Sequence, residues 1–278
     1  MTKRSKLNSA LRKDPRMICG LIVLIFTLSA ALVGPFLFED PAHSADLSLR
    51  LLTPSRDHPL GCDLYGKDLL SSMLYGARVS LLIAFLTVLL SSTIGILAGL
   101  VSGFFGSKID SLIMRVVDIM MAFPGLLLAM SLTALMGPSL QNIVLSMVAT
   151  GWTSTARLVR GQVLSLKHRE FILASKALGA SPLRTLFRHI LPSLLSPLLV
   201  HSTFSISGVI LMEAGLSFLG FGTSIETDSW GALLNQGKSV LSEAPHLSIF
   251  PGLAIFTLVL AFNFIGDALR DLSDPRNR

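Results

Sequence analysis

The sequence predicts an all-α polytopic membrane protein that crosses the bilayer six times. Of its 278 residues, 51% are apolar and only 14% are charged, whereas a soluble domain carries about 25% charged residues. The apolar residues form stretches long enough to cross a hydrocarbon core of about 30 Å as helices. They do not alternate with polar residues, as membrane β-strands require. The composition excludes a disordered chain, a disulfide scaffold and an ordinary soluble enzyme.

Six apolar stretches account for the predicted membrane helices. They cover residues 17–38, 79–105, 112–136, 140–155, 194–221 and 247–265. We interpret the first as an uncleaved helix, because it exceeds the roughly 7–15 apolar residues of a secretory signal core. In the third, Pro124 is expected to kink the helix, and Arg115 and Asp118 are spaced to form an ion pair one turn apart. The fifth contains an acid, Glu213.

Lysine and arginine are distributed unequally between the two sides of this topology. With the N-terminus in the cytoplasm, 18 fall in cytoplasmic segments and 5 outside, which is the bias that orients membrane proteins. The net charge of +6 is therefore assigned to topology rather than to nucleic-acid binding. The predicted segments are a cytoplasmic tail (1–16), a first helix (17–38), an extracytoplasmic loop (39–78), a five-helix core (79–267) with a cytoplasmic loop at 157–193, and a cytoplasmic tail (268–278).

The cytoplasmic loop is predicted to form two short amphipathic helices joined by a sharp bend. Gly179 is suited to end the first helix in a left-handed conformation. Ser181 caps the second, with Pro182 at its first position, and Pro192 is expected to stop it before the fifth span. The first apolar face comprises Phe171, Ala174, Ser175 and Leu178, and the second Leu183, Leu186, Phe187 and Ile190. Such a pair can lie on the membrane or dock into a partner's groove, and the residues alone favour neither.

The same loop resembles the cytoplasmic signature of permease subunits in ABC importers, which runs Glu-Ala-Ala, three residues, Gly, nine residues, Ile, one residue, Leu-Pro. The corresponding residues here are Leu173, Ala174, Ser175, Gly179, His189, Leu191 and Pro192. The match is closer to the dipeptide, oligopeptide and nickel branch, in which Glu170 takes an acidic place and the signature ends His-Ile-Leu-Pro. Three further segments resemble the same branch, beginning at Asp57, at Glu213 (EAGLSFLGFG) and at Phe262 (FNFIGDALRDLSDPR). The first and last place the chain with the second permease type.

This resemblance implies a six-helix permease of the type I importer fold in a bacterial inner membrane. Its implied partners are the lipid bilayer, a second homologous permease, two ATPase subunits and an extracytoplasmic substrate-binding protein. ATP and Mg²⁺ would be bound by the ATPase subunits, and the chain itself would hold no cofactor, metal or catalytic residue. The ATPase would dock on Glu170, Ala174, Ser175, Leu178, Gly179, Ala180, Leu191 and Pro192. The implied cargo is a di- or oligopeptide, with nickel or a metal chelate as the alternative.

Other readings and weaker sites complete the sequence predictions. An ion-coupled secondary transporter would carry paired acids at mid-membrane and inverted repeats, and a membrane scaffold would not need the bent loop.

Glu213 and Ser217 are candidates for an outer gate, although Glu213 could instead pair with Arg78 or a backbone group. Small residues at Gly95, Gly99 and Gly103 predict close helix packing, within the subunit or against its partner.

One nucleotide-binding pattern is rejected. Residues 61–67 have the G-x-x-x-x-G-K spacing of a phosphate-binding loop. However, Asp68 stands where Ser or Thr would bind Mg²⁺, and no hydrophobic strand precedes the segment. The predicted topology also places it outside the cytoplasm, away from ATP.

Overall fold

The computed structural model describes residues 14–38, 40–41, 45–222 and 229–273. Most of the predicted N-terminal tail and the end of the C-terminal tail lie outside these residues. Within them the chain is helical, with no β-strand and one isolated bridge between Cys62 and Asp68. The helices are α1 (Pro15–Leu37), α2 (Leu69–Phe105), α3 (Ser107–Ala122), α4 (Gly125–Met136), α5 (Leu140–Leu166), α6 (Glu170–Ala177), α7 (Pro182–Thr185), α8 (Leu191–Leu216), α9 (Trp230–Lys238) and α10 (His246–Ser273).

Five elements of the described chain can cross a membrane by length and composition. Four are single helical runs, namely α1, α2, Pro182–Phe221 and α10. The fifth is the pair α3 and α4, whose axes are bent by 88°. The sequence predicted one kinked helix here, but the bend is nearly a right angle because the chain is extended at Phe123 and Pro124. These two residues therefore separate two helices.

Helix α5 is identified as a further crossing by its packing against α2. A Cβ atom added to any of three α2 glycines would lie 2.6–2.7 Å from a side chain of α5. The pairs are Gly95 with Thr155, Gly99 with Val159, and Gly103 with Val163. Since both sets of numbers rise together, α2 and α5 run parallel, and α3–α4 must return the chain between them. The described residues thus hold up to five candidate spans, and α5 packs lengthwise beside one of them.

Two predicted boundaries differ from the structure. Helix α2 begins at Leu69, ten residues before the predicted start, because the Asp68 side chain accepts the Ser71 N–H and caps the helix. Helix α5 continues to Leu166, through the predicted start of the cytoplasmic loop at 157. Its arginines are accommodated because Arg157 and Arg160 pair with acids on α3.

The predicted stop at Pro192 is wrong. The chain passes from α7 through a π-helical turn, Leu186–Ile190, directly into α8. The Leu191 N–H donates to the carbonyl of Leu186, five residues back. A widened turn relieves the clash that a proline ring makes with the preceding turn of a regular α-helix. The second loop helix and the fifth span are consequently one helical run.

The two ends of the helix bundle carry different short helices. We call the end that carries α6 the α6 end, and the opposite end, where α2 begins, the α9 end. Helix α9, which the sequence did not predict, packs there on α2, α8 and α10. The main core of the α9 end includes Leu69, Ile210, Trp230, Leu247 and Leu258, all buried.

Candidate functional site

Helix α6 is fixed to the bundle by one fully buried side chain. Ile172 is 0% exposed and packs in a cluster with Val159, Val163, Leu186 and Ile190. These neighbours belong to α5 and to the π-helical turn, so the cluster joins three elements of the α6 end. A displacement of α6 must therefore move the helices behind it.

The bend after α6 has the geometry that its sequence predicts. Gly179 has a φ of +82°, in the left-handed region where a side chain is strained. The Ala180 N–H donates to the carbonyl of Ser175 at 3.1 Å, which closes the helix end. Ser181 then accepts the Arg184 N–H at 3.3 Å and caps α7, with Pro182 in its first turn. The result is a sharp, internally bonded corner.

The corner presents apolar side chains that nothing in the described chain covers. Leu178 is 89% exposed, and a Cβ at Gly179 would meet nothing within 4 Å. Beside them is an open groove of about 590 Å³, here called the α6–α7 groove. It is lined by Phe171, Ala174, Ser175, Leu178, Ala180, Arg184, Arg188 and His189. The surface combines an apolar corner with a cationic wall.

Each apolar face predicted for the loop helices contains both buried and exposed residues in the structure, or only exposed and half-buried ones. Phe171 and Leu178, on the first predicted face, are exposed, while Ile172 anchors α6. In the second set, Leu186 and Ile190 are buried, whereas Leu183 and Phe187 are 64% and 54% exposed. The apolar pattern thus combined residues that face the bundle with residues that face outward.

The structure brings most predicted docking residues onto one surface. Glu170 is exposed in the first turn of α6, and the residues from Ala174 to Ala180 follow it along the corner. Leu191 and Pro192 begin α8 instead and do not line the α6–α7 groove. Arg184 and Arg188, which the sequence prediction omitted, do line it, and they follow Ser181 on the next turns of the same run.

Glu213 is buried among hydroxyl groups at the α9 end. Its side chain is 2% exposed, and one carboxylate oxygen accepts hydrogen bonds from Ser217 at 2.8 Å and Ser229 at 2.6 Å. Ser80 is a further hydrogen-bond partner. The carboxylate is therefore held by serine hydroxyls rather than by Arg78, which is exposed. Glu213 joins α2, α8 and the start of α9.

The segment that completes this cluster was missed by sequence reasoning. A Cβ at Gly231 would lie 2.7 Å from both the Cα of Ala214 and the Cβ of Ser217, so α9 can approach α8 only with glycine there. The indole of Trp230 donates to the carbonyl of Met73 at 2.9 Å. A capping serine followed by Trp-Gly after a polar loop was the available signal for this helix start.

Two interhelical ion pairs join α3 to α5. Asp110 pairs with Arg160, with Nη2 and Oδ2 2.6 Å apart. Asp118 pairs with Arg157 at 2.6 Å. The predicted Arg115–Asp118 pair is therefore wrong, because a basic side chain on the neighbouring helix takes the carboxylate.

In the segment with phosphate-loop spacing, residues 61–67, the carboxylate of Asp63 binds the backbone N–H groups. Asp63 is 1% exposed and accepts the N–H groups of Tyr65 and Lys67, each at 2.8 Å. Burial raises the pKa of Asp63, while the two backbone hydrogen bonds oppose that shift. The adjacent Cys62 is fully buried, and burial, with smaller contributions from Asp68 and Asp63, raises its pKa to about 11.

Long apolar helices define a multi-pass membrane protein, with an exposed corner at Gly179 at one end of the bundle. The family model "Binding-protein-dependent transport system inner membrane component" matches residues 95–278, and the chain belongs to this family. It is a membrane-embedded transport permease.

Relatives resemble the chain over nearly its whole length. It is 40% identical to the dipeptide transport system permease protein DppC of Alkalihalophilus pseudofirmus, covering 96% of this chain and 88% of that protein. It is 40% identical to the glutathione transport system permease protein GsiD of Pectobacterium atrosepticum, with the same coverage. The oligopeptide transport system permease protein OppC of Haemophilus influenzae is 37% identical, over 96% and 86%.

A solved structure shares the fold. The inward-facing MetNI methionine ABC transporter matches with a TM-score of 0.62, covering 73% of this chain and 96% of the matched chain at 19% sequence identity. At that identity the likeness concerns the fold alone, which is the importer permease fold that the signature residues predicted.

Proposed function

We propose that this chain is the permease half of an ATP-driven importer of di- or oligopeptides, with its α6 end in the cytoplasm. The orientation is supported by the excess of lysine and arginine in the segments at that end. Both chain termini would then be cytoplasmic, since α1 begins and α10 ends at the level of the Arg16–Asp271 ion pair. The membrane would be the bacterial inner membrane.

The corner between α6 and α7 is the observation that supports coupling to separate ATPase subunits. An exposed leucine on a rigid glycine turn suits insertion into an apolar pocket of a partner protein. Arg184 and Arg188 beside it favour a partner surface that carries acids. Ile172 and the continuous run into α8 give this corner a mechanical connection to the membrane helices. ATP and Mg²⁺ would act on the partners, and this chain would respond to their movement.

Peptide cargo is supported by the relatives named for dipeptide, oligopeptide and glutathione transport. The remaining components would be a second, homologous permease and an extracytoplasmic binding protein that delivers the peptide. The cargo is tested by purifying the complex with its binding protein and identifying the bound molecule by mass spectrometry. ATP-dependent uptake of that molecule into proteoliposomes should follow. A nickel chelate in place of a peptide would overturn the cargo proposal.

Coupling is tested with two substitutions at one glycine. Gly179 has a φ of +82°, and a Cβ there would meet nothing within 4 Å. Gly179→Leu should abolish peptide-stimulated ATP hydrolysis in the reconstituted complex, because it fills the proposed contact surface. Gly179→Ala carries the same backbone strain with a much smaller side chain and should retain most of the activity. Equal activity of the two variants would contradict the docking assignment.

A further inference from the structure

Charged side chains occupy the middle of helix α3 and the facing turn of α5. Asp118 and Arg157 form an ion pair whose side chains are 66% and 51% exposed. Arg115, one turn from Asp118, is also exposed. By contrast, the Asp110–Arg160 pair at the α6 end is largely covered, at 17% and 32%. The Asp118–Arg157 pair is therefore open, whereas the Asp110–Arg160 pair is not.

The level of the membrane surface at the α6 end follows from a chain of contacts. The Thr155 hydroxyl and the His201 ring are 3.1 Å apart and place α5 beside α8. Five residues toward the α6 end lie Arg160 on α5 and Ser196 on α8. Ser196 donates to Ser273 at 2.6 Å, close to the end of α10.

This level is the same one at which α1 enters the bundle. Arg16 pairs with Asp271 at 2.7 Å, two residues before Ser273, and uninterrupted apolar sequence follows Arg16 in α1. Arg160 and its partner Asp110 therefore lie at the boundary where the apolar region begins. Asp118 is two turns, about 12 Å, further along α3 than Asp110.

Helix α3 continues from this boundary toward the α9 end. Leu126, just after α3, approaches within 3.9 Å of a Cβ position at Gly215 near the end of α8. The helix thus rises from the boundary into the bundle, and the Asp118–Arg157 pair lies inside the boundary, with Arg157 three residues, about 4.5 Å, beyond Arg160 on α5. Charged side chains at such depth face water or protein rather than lipid.

An open surface groove runs along α3 from the α6 end to Arg115. It has a volume of about 520 Å³ and is here called the α3 groove. Its lining residues are Ser107, Lys108, Ser111, Leu112 and Arg115. Both acids of α3 are paired with α5 arginines, whereas Lys108 and Arg115 have no ion-pair partner among the described residues. The groove therefore presents two cations and two serine hydroxyls beside apolar surface.

We propose that Arg115, Asp118 and Arg157 line the water-filled path through which the peptide leaves the permease toward the cytoplasm, with the α3 groove as its exit. This inference rests on the proposed transport function. A free peptide carries an ammonium group, a carboxylate and unpaired amides. Two guanidinium groups, one carboxylate and the serine hydroxyls offer each of these a partner without selecting a side chain.

The test measures water access at single cysteines in the assembled complex. The background replaces both native cysteines, as Cys19→Ser and Cys62→Ala. Ser111→Cys, Arg115→Cys and Asp118→Cys probe the proposed path. Ile22→Cys and Ile25→Cys are controls at 62% and 60% exposure on α1, six and nine residues beyond Arg16.

Inside-out vesicles are treated with the charged thiol reagent MTSET, which reacts where water reaches the thiol. The three path cysteines should be modified at least tenfold faster than the two controls, and a saturating dipeptide should slow modification at Arg115→Cys at least threefold. Ser111→Cys, nearly isosteric with serine, keeps the test valid if Asp118→Cys does not assemble. Modification of the path cysteines at control rates would overturn the proposal and place this face against lipid or the partner permease.

Peptide uptake is measured separately in vesicles of the unmodified complex. Fast modification with no uptake would refute peptide transport and leave the water-filled path established. Uptake with slow modification would refute the water-filled path and leave the transport function standing.

Discussion

Replacing Leu178 with serine should weaken ATPase docking and leave the permease itself stable. The side chain is 89% exposed in the isolated chain, so nearly its whole apolar surface is available for burial by a partner. Full burial of a leucine contributes about 1.5–3 kcal/mol. A loss of about 2 kcal/mol corresponds to a roughly 30-fold weaker association, since each 1.4 kcal/mol is a factor of ten. Because Leu178 makes little contact within the chain, its removal should change the free energy of unfolding by at most about 0.5 kcal/mol.

The measurement is a titration of ATPase subunits onto the permease pair held in nanodiscs. Leu47→Ser is the matched control, because Leu47 is 71% exposed and lies in the segment before α2, at the α9 end. It should bind the ATPase as the unmodified protein does. Leu178→Ser with unchanged affinity, or a common loss in both variants, would refute the reasoning.

Three further predictions concern packing and burial, and all use detergent-solubilised protein. Gly99→Ala should lower the free energy of unfolding by about 1–3 kcal/mol, because it overpacks the α2–α5 contact. Gly161→Ala has open space around it and should raise the free energy of unfolding by about 0.5–1 kcal/mol. Thermal unfolding ranks the stabilities of the two variants. Glu213→Gln should be at least about 2 kcal/mol more stable than Glu213→Ala, because the amide oxygen can still accept both serine hydroxyls. Cys62 should resist iodoacetamide at pH 8 until unfolding, since a pKa of about 11 leaves about one thiol in a thousand ionised.

Each of these has a contradicting result. Equal melting temperatures for the two glycine variants would mean that α2 and α5 are not in close contact. A Gln variant as unstable as the Ala variant would show that the carboxylate charge, rather than its hydrogen-bonded oxygen, matters at position 213. Rapid alkylation of native Cys62 would place that thiol at the surface.

The residues around Gly179 predicted the corner between α6 and α7 correctly. The conformation of Gly179 and the cap at Ser181 depend on neighbouring backbone, so the residues that form them lie within a few positions. Burial was predicted less well, because periodicity shows that a face is apolar without showing what covers it. Ile172 and Leu178 belong to one short helix and its end, yet the first anchors it and the second is exposed.

Long-range partners explain the other differences. Arg115 is the cation nearest to Asp118 in sequence. In the structure, however, Arg157 on α5 forms the ion pair with Asp118. Glu213 was predicted to line an outer gate or to pair with Arg78 or a backbone group, whereas three serines from separate parts of the chain surround it. Pro192 would stop an ordinary helix, and only the widened turn before it, invisible to a residue pattern, lets the helix continue.

The helical run that starts at Pro182 joins the corner at Gly179 to the Glu213 cluster, and its regular backbone ends at Gly220, which is not helical. From Pro182 to Glu213 the run spans about 47 Å at 1.5 Å per residue. A tilt of about 10° around the midpoint of this segment would move each of its ends by roughly 4 Å in opposite directions. A displacement of the corner and an opening at the α9 end would then be the two effects of one rotation, with no series of smaller movements needed between them.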